Sequence, residues 1–171
     1  MATGSDSRAG MLWQTDLERL IADDAVDTVI VGFTDMQGRL VGKRISARLF
    51  ADDVAAHGAE CCNYLLSVDV DMNTVDGYTI SSWDTGYGDM VMTPDFSTLR
   101  LLPWQPATAL VMADLSWTDG RPVKQAPRSI LQAQLDRLAD RGMTSVAATE
   151  LEFIVFDDSY RAAWAAGYRG L

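Results

Sequence analysis

Two glutamates separated by one residue, Glu150 and Glu152, lie in an otherwise apolar stretch near the end of the sequence. Side chains alternate between the faces of a β-strand, so both carboxylates would project from the same face. Flanking residues are mostly apolar on both faces, which predicts a strand covered on both sides. Buried carboxylates repel each other, so a proton, basic side chains or a hard cation must neutralise them. On a half-exposed strand, the same pair would simply be solvated.

Composition narrows the class of protein. The chain has 171 residues, of which 48% are hydrophobic, enough for one good domain or for one small domain and part of another. Its formal charge of −10 argues against a nucleic-acid partner and fits small cationic or metal-chelated ligands better. We find no apolar run of membrane-spanning length and no signal peptide, so we predict a cytoplasmic protein with no membrane partner.

The cysteines and the single histidine do not form a recognisable metal site. Cys61 and Cys62 are adjacent, and a disulfide between neighbours is strained, so we predict reduced core residues. With His57 alone, too few nitrogen and sulfur ligands remain for zinc. His57 precedes Gly58 at the end of a predicted helix, where it is more plausibly a partner of the helix dipole than a base.

The first part of the chain predicts a small mixed sheet with a helix across it. Residues 1–10 are small and polar and are interpreted as a flexible leader. An irregular segment, 69–89, is rich in Asp, Gly and aromatic residues, which favours an ordered functional loop. A capping box over 15–18 predicts the start of a first helix. A strand over 27–34 and a second strand that ends at 45 are predicted to form a hairpin. A helix over 46–57, a buried run over 60–68 and strands over 90–93, 98–102 and 108–115 follow.

A second unit begins after the turn at 118–121. A helix is predicted from Pro127 to Gly142, followed by the strand with the two glutamates. About fifteen residues remain after Phe156, too few to cover that strand, so we expect this unit to be the front part of a longer protein. The apolar face predicted for the helix consists of Ile130, Leu131, Leu135 and Leu138.

Several motifs in one order resemble the glutamine synthetase family, and the likeness extends from Leu12 to Asp157. It implies an α+β fold: an N-terminal β-grasp domain over 11–118, then the truncated start of a glutamine synthetase-type catalytic α/β barrel over 119–171. The matching segments are Phe33-Thr34-Asp35 with Gly38, Asp76-Gly77, Trp83, Asp89-Met90-Val91-Met92-Thr93-Pro94-Asp95-Phe96-Ser97-Thr98, Pro127-Arg128-Ser129 and Glu150-Leu151-Glu152-Phe153-Ile154-Val155-Phe156-Asp157.

The resemblance implies a ligase that uses ATP to activate the γ-carboxylate of glutamate as an acyl phosphate, which ammonia or a small amine then displaces. Phosphoryl transfer needs divalent cations, and such cations need carboxylates. By match to the family motif, Glu150 and Glu152 would each help to hold one of two Mg²⁺ or Mn²⁺ ions. The family also implies a ring-shaped homo-oligomer, a dodecamer in the full-length protein, with active sites between subunits. The fragment alone is expected to be inactive.

On the same pattern, Asp76 matches the aspartate that helps to bind the incoming ammonium and accept its proton. Trp83 and Asp89 match residues of the same intersubunit loop. Where the family typically has Asp-Gly-Ser-Ser, this chain continues from Asp76 and Gly77 with Tyr78 and Thr79. That departure resembles the branch that couples glutamate to larger amines such as ethanolamine or polyamines, where Asp84 and Tyr78 could hold a bigger cation.

Two other functions remain open at this point. A non-catalytic assembly or regulatory protein could keep the fold without the chemistry, because the β-grasp surface makes subunit contacts in ring-forming relatives. A metal-dependent hydrolase would release phosphate without any amine. Metal binding and amine dependence distinguish these alternatives from the ligase.

Overall fold

The computed structural model describes residues 10–84 and 86–170. Residues 1–9 of the predicted leader lie outside this description. In chain order the elements are α1 (Gln14–Ala22), β1 (Thr28–Thr34), β2 (Leu40–Ser46), α2 (Ala47–Leu49), a π-helical turn (Phe50–Val54), α3 (Ala55–His57), β3 (Ala59–Cys62), a 3₁₀ turn (Asn63–Leu66), β4 (Asp89–Leu101), β5 (Thr108–Trp117), α4 (Pro127–Ala139) and α5 (Tyr160–Ala165).

Five strands form one mixed sheet in the order β2-β1-β5-β4-β3. The β1–β2 hairpin is antiparallel, β1 pairs with β5 in parallel, and β4 pairs antiparallel with both β5 and β3. The helical segment from α2 to α3 buries Phe50 and Val54 against the sheet, where Phe50 makes an edge-to-face contact with Phe96. The predicted mixed sheet with a helix across it is therefore confirmed, and so is the hairpin.

The first helix differs from the prediction at its start. It begins at Gln14, so Thr15 is already helical and does not cap it. The side chain of Asp16 accepts a hydrogen bond from the backbone N–H of Trp13 at 3.2 Å, and Leu17 is fully buried. An acid in the first turn satisfies a backbone donor that the helix leaves free, which is why the helix can begin two residues earlier.

The two strands predicted over 90–93 and 98–102 are one long strand, β4. Between the two predicted strands, the pairing of β4 with β5 shifts register, from Asp95 to Arg100. Within this segment, the hydroxyl of Thr98 donates to the backbone carbonyl of Asp95 and accepts from the N–H of Met112. This side chain replaces a backbone bond of the ladder, so the strand continues where the sequence predicted a break.

The second unit buries few of its side chains. Helix α4 forms as predicted, but Ile130 and Leu131 on its predicted apolar face are exposed, and the helix buries no residue completely. Residues 144–156 that follow have no regular secondary structure. Among the described residues, no helix is both long and apolar enough to cross a membrane.

Candidate functional site

The loop that the sequence singled out connects the 3₁₀ turn to β4 and contains no helix or extended strand among its described residues. It carries most of the predicted site residues on one continuous surface segment. All of them are exposed to solvent: Asp76, Tyr78, Thr79, Trp83, Asp84 and Asp89. An exposed loop with this many acids and aromatic rings can offer charge, hydrogen-bond acceptors and ring faces to a cationic ligand.

Two buried polar side chains of the preceding segment fix the second half of this loop. Asn63, only 4% exposed, donates to the carbonyl of Ile80 at 2.8 Å and accepts from the N–H of Gly88 at 3.1 Å. The hydroxyl of Ser67 lies 2.5 Å from that of Ser81, and both residues are buried. Buried polar groups are costly unless paired, so these contacts determine one arrangement of the loop.

The first half of the loop forms a small closed turn. Asp69 accepts hydrogen bonds from the backbone N–H groups of Asp71 and Asn73, each at 2.9 Å. Hydrogen bonds from Asn73, the side chain first and then the backbone, keep the pKa of Asp69 below its ordinary value. The N–H of Val75 donates to the carbonyl of Ser67 at 3.1 Å, which returns the chain to the start of the loop. Asp76 is the next residue.

Aromatic rings of the loop pack edge-to-face. Tyr87 contacts Trp83 at 5.3 Å between ring centroids and Tyr64 at 6.1 Å. Trp83 remains 78% exposed in this arrangement, so a large ring is presented to solvent on an ordered support. Tyr64 was not among the predicted site residues, since it lies in a buried run whose composition predicts only core.

Asp89 lines an open cavity of about 310 Å³ between the two edges of the sheet. Lys43 of β2 and Cys61 and Cys62 of β3 also line it. Both cysteines are free thiols, as predicted; Cys61 is buried and Cys62 half-buried. Burial raises the pKa of the Cys61 thiol to about 11, so it is protonated and unreactive at neutral pH.

The prediction of a covered strand around Glu150 and Glu152 is wrong for this chain. Both glutamates are exposed, and so are their apolar neighbours Leu151 and Phe153 at 88% and 84%. The five-stranded sheet does not include this segment, which has no regular secondary structure. Without a paired neighbour the β-type sequence does not form a strand and remains open to solvent.

The glutamate pair offers carboxylate oxygens to solvent but forms no complete metal site by itself. Carboxylate oxygens are the ligands that Mg²⁺ prefers, and the pair is free of ion pairs with the basic side chains that the structure describes. Within residues 10–84 and 86–170, however, no group of three or more His, Cys, Asp or Glu side chains is placed to hold a metal ion. The acids of the loop and the glutamate pair therefore do not converge, and further ligands are needed.

Sequence reasoning did not find Arg128 as a functional contact, although it lies in one of the matching motifs. Arg128, in the first turn of α4, pairs with Asp95 of β4 at 2.6 Å and with Asp114 of β5 at 2.9 Å. Burial opposes ionisation of Asp95, but hydrogen bonds from Ser97 and Arg128 outweigh it and lower the pKa of that carboxyl. Arg128 thereby joins the sheet to the helix that precedes the glutamate pair.

Comparison with known proteins agrees with these features. The family model described as glutamine synthetase, catalytic domain, matches residues 124–169. Over 156 residues the chain is 60% identical to the gamma-glutamylethanolamide synthetase GlnA4 of Streptomyces coelicolor, covering 91% of this chain and 34% of that protein. It is 35% identical over 146 residues to the glutamate–isopropylamine ligase of a Pseudomonas species, covering 85% and 32%.

A solved structure is also similar to this chain. The structure of GmaS without ligand superposes with a TM-score of 0.57 at 30% sequence identity, covering 75% of this chain and 27% of that one. Three quarters of this chain thus share a fold with a protein of related sequence. The chain belongs to the glutamine synthetase family. It spans about a third of the length of the curated relatives it matches.

Proposed function

We propose that this chain is part of an ATP-dependent ligase that joins the γ-carboxylate of glutamate to an amine through a γ-glutamyl phosphate. The observation that carries the proposal is the 60% identity to a gamma-glutamylethanolamide synthetase, over a match that covers 91% of this chain. Two further relatives are named as an isopropylamine ligase and a gamma-glutamylanilide synthase. Three relatives with substituted amines in their names favour a substituted amine over ammonia as the acceptor.

In this proposal Asp76 receives the amine. An exposed carboxylate attracts an alkylammonium ion, accepts its hydrogen bonds and takes one proton from it, which frees the lone pair of the nitrogen. That lone pair attacks the acyl carbon of the γ-glutamyl phosphate and forms the C–N bond, the C–O bond to phosphate breaks, and the second proton passes from the nitrogen to the departing phosphate. Tyr78, Thr79 and Asp84 follow Asp76 on the same loop and supply a ring face, a hydroxyl and a second negative charge for the rest of the amine.

The exposure of the loop supports a site completed by a neighbouring subunit. Trp83 projects from an ordered aromatic support, as expected for a group that becomes covered on assembly. We propose a β-grasp domain over 11–118, with the parallel β1–β5 pair central to its sheet, and the beginning of a catalytic barrel over 119–171. We also propose that the full-length protein forms a ring-shaped homo-oligomer, a dodecamer, in the cytoplasm.

Glu150 and Glu152 are proposed as ligands for Mg²⁺ or Mn²⁺, with further ligands from parts of the protein outside this chain. When bound, the cations would neutralise the charge of the ATP phosphates. Both carboxylates are exposed to solvent and are therefore accessible for such ligation. ATP and glutamate would likewise bind mainly through residues outside this chain.

The proposal is tested by exchanging single carboxylates in the full-length protein that contains this sequence. With ATP, glutamate, Mg²⁺ and ethanolamine, Asp76→Asn is expected to lower kcat/KM for the amine about a hundredfold or more, because general-base removal typically costs that much. Asp71→Asn is the matched control, since Asp71 is an exposed acid on the same loop whose backbone alone is engaged. Equal activity of the two variants would contradict the role of Asp76.

The metal role needs its own variant. Glu152→Gln keeps the size of the side chain but removes its charge, and is expected to weaken Mn²⁺ binding, measured by calorimetry, at least tenfold. Asp158→Asn, an exposed acid six residues further on, is the control. Unchanged Mn²⁺ affinity together with unchanged turnover in Glu152→Gln would contradict the metal role. A parent protein without Mn²⁺ binding or turnover would support a non-catalytic assembly protein instead.

A further inference from the structure

Two side chains of the turn between β1 and β2 donate hydrogen bonds to three consecutive backbone carbonyls, which lie at the start of the loop that carries Asp76. Gln37 donates through Nε2 to the carbonyl of Val68 at 2.8 Å. Arg39 donates through Nη2 to the carbonyl of Asp69 at 3.0 Å and through Nη1 to that of Val70 at 2.6 Å. These groups are about thirty residues apart in sequence, so the contact joins a hairpin turn to a distant loop.

Arg39 is itself fixed in place. Its Nε donates to Oδ2 of Asp35 at 2.6 Å, and the side chain of Asp35 is completely buried. Oδ1 of Asp35 accepts the backbone N–H groups of Gln37 and Arg39, each at 2.9 Å. The side-chain amide oxygen of Gln37 accepts from Nη2 of Arg39 at 3.2 Å. We call these three residues, Asp35, Gln37 and Arg39, the turn clamp.

Ionisation of the Asp35 carboxyl keeps the turn clamp charged. Burial opposes ionisation of this carboxyl, but hydrogen bonds from Arg39 and Gln37 and the charge of Arg39 outweigh it, so its pKa lies below the ordinary value. An ionised Asp35 and a planar guanidinium then form a charge-assisted pair. Lysine could not replace Arg39 here, since a single ammonium lacks the fork that contacts Asp35 and two carbonyls together.

The carbonyls held by the turn clamp belong to the closed turn that ends at Asp76. Asp69 pairs its backbone N–H with the carbonyl of Asn73 at 2.9 Å, in addition to the side-chain bonds described above. Val75 bonds back to Ser67, directly before the first carbonyl that the turn clamp holds. Fixing residues 68–70 therefore fixes where the chain leaves the turn, and Asp76 is the residue that leaves it.

We propose that Arg39, held by Asp35 and Gln37, is a positioning residue that places Asp76 for the acceptor amine. The inference rests on the proposed function of Asp76 and adds a residue that never touches the substrate. A displacement of a reacting group by about 1 Å can cost a hundredfold in rate, so the orientation of this turn matters for catalysis. Because glutamate and ATP are proposed to bind mainly through residues outside this chain, we expect their binding not to depend on the turn clamp.

The test compares Arg39→Lys and Gln37→Ala with Arg48→Lys in the full-length protein. Arg48 is the matched control because its pair with Asp24 is at the surface, with both side chains 81% exposed. Gln37→Ala removes only the contact to Val68 and to Arg39, and it leaves the Asp35–Arg39 pair intact. Two quantities are measured: hydrogen–deuterium exchange of peptides over 69–76, and KM for ethanolamine against KM for glutamate.

Arg39→Lys is expected to raise amide exchange over 69–76 about tenfold, since one or two charge-assisted hydrogen bonds are lost. KM for ethanolamine is expected to rise about tenfold, with KM for glutamate within twofold of the parent. Gln37→Ala should change both quantities in the same direction by a smaller factor, and Arg48→Lys should change neither.

Three results would overturn the inference: unchanged exchange over 69–76, an unchanged KM for ethanolamine despite faster exchange, or equal increases in KM for both substrates. The last would indicate general damage to the fold. Absence of turnover in the parent protein would contradict the proposed function instead. In that case the exchange data alone show whether the turn clamp orders residues 69–76, so failure of the inference and failure of the proposed function are distinguishable.

Discussion

Asn63 offers the sharpest test of how the loop is built, because one side chain holds two separated points of it. In Asn63→Ala, the hydrogen bonds to the carbonyl of Ile80 and from the N–H of Gly88 are lost. Each contributes about 1 kcal/mol, and leaving the two backbone groups partly buried without partners adds about 1 kcal/mol or more. The total is about 3 kcal/mol, which corresponds to a rise of about a hundredfold in the open population of the loop.

Chymotrypsin can measure this opening at a defined bond. The Tyr87–Gly88 peptide bond carries the N–H that donates to Asn63, so cleavage after Tyr87 requires release of that contact. Tyr78 provides an internal reference, since it is exposed on the part of the loop between the two fixed halves. In Asn63→Ala the rate of cleavage after Tyr87 is expected to rise about a hundredfold, while cleavage after Tyr78 changes little.

Gln14→Ala is the control for loss of a side-chain amide, since Gln14 bonds only an exposed neighbour on α1. It should leave both cleavage rates unchanged. Equal rates of cleavage after Tyr87 in Asn63→Ala and the parent would refute the view that this buried side chain holds the loop.

Three further predictions concern the framework. The pKa of Asp35 is lowered in the folded state, so its stabilising effect is present above its ordinary pKa of 3.8 and is lost as the pH falls below that value. The thermal midpoint of unfolding should therefore drop below that pH, and it should drop less in Asp35→Asn. Gly42→Ala places a Cβ 2.1 Å from the carbonyl oxygen of Val31 and should destabilise the fold by about 3 kcal/mol in urea unfolding. Arg128→Ala should cost about 2 kcal/mol by the same measurement, since it breaks two half-exposed charge pairs, and should loosen α4 in hydrogen exchange.

Local patterns in the sequence were sufficient to predict the elements that depend on them. The β1–β2 hairpin follows from an apolar, β-branched run and a turn at 35–38, and α4 follows from Pro127 and an apolar period. The single strand β4 could not be predicted, because Thr98 joins its two halves by accepting a hydrogen bond from the N–H of Met112, fourteen residues away. Such a contact depends on the pairing with β5, which the local sequence does not contain.

The sequence predicted the ordered loop that carries the candidate site residues, but not the contacts that order it. Acids and aromatic residues marked the loop, yet the groups that order it, Asn63 and Arg39, are polar residues whose partners are 17 to 31 residues away. For the glutamate pair, the local sequence predicted a buried strand that the structure does not contain. The pair's apolar neighbours predicted burial, but burial of a strand needs pairing partners, and this segment does not pair with the five-stranded sheet.

An amine panel tests the central claim most directly. The full-length protein is incubated with ATP, glutamate, Mg²⁺ and, in separate reactions, ethanolamine, isopropylamine, a polyamine or ammonia. Phosphate release and the mass of the γ-glutamyl product are followed together. We predict amine-dependent phosphate release with a matching γ-glutamyl amide, and a higher kcat/KM for at least one substituted amine than for ammonia. Preference for ammonia would contradict the assignment of the acceptor, and phosphate release without any amide would contradict the ligase itself.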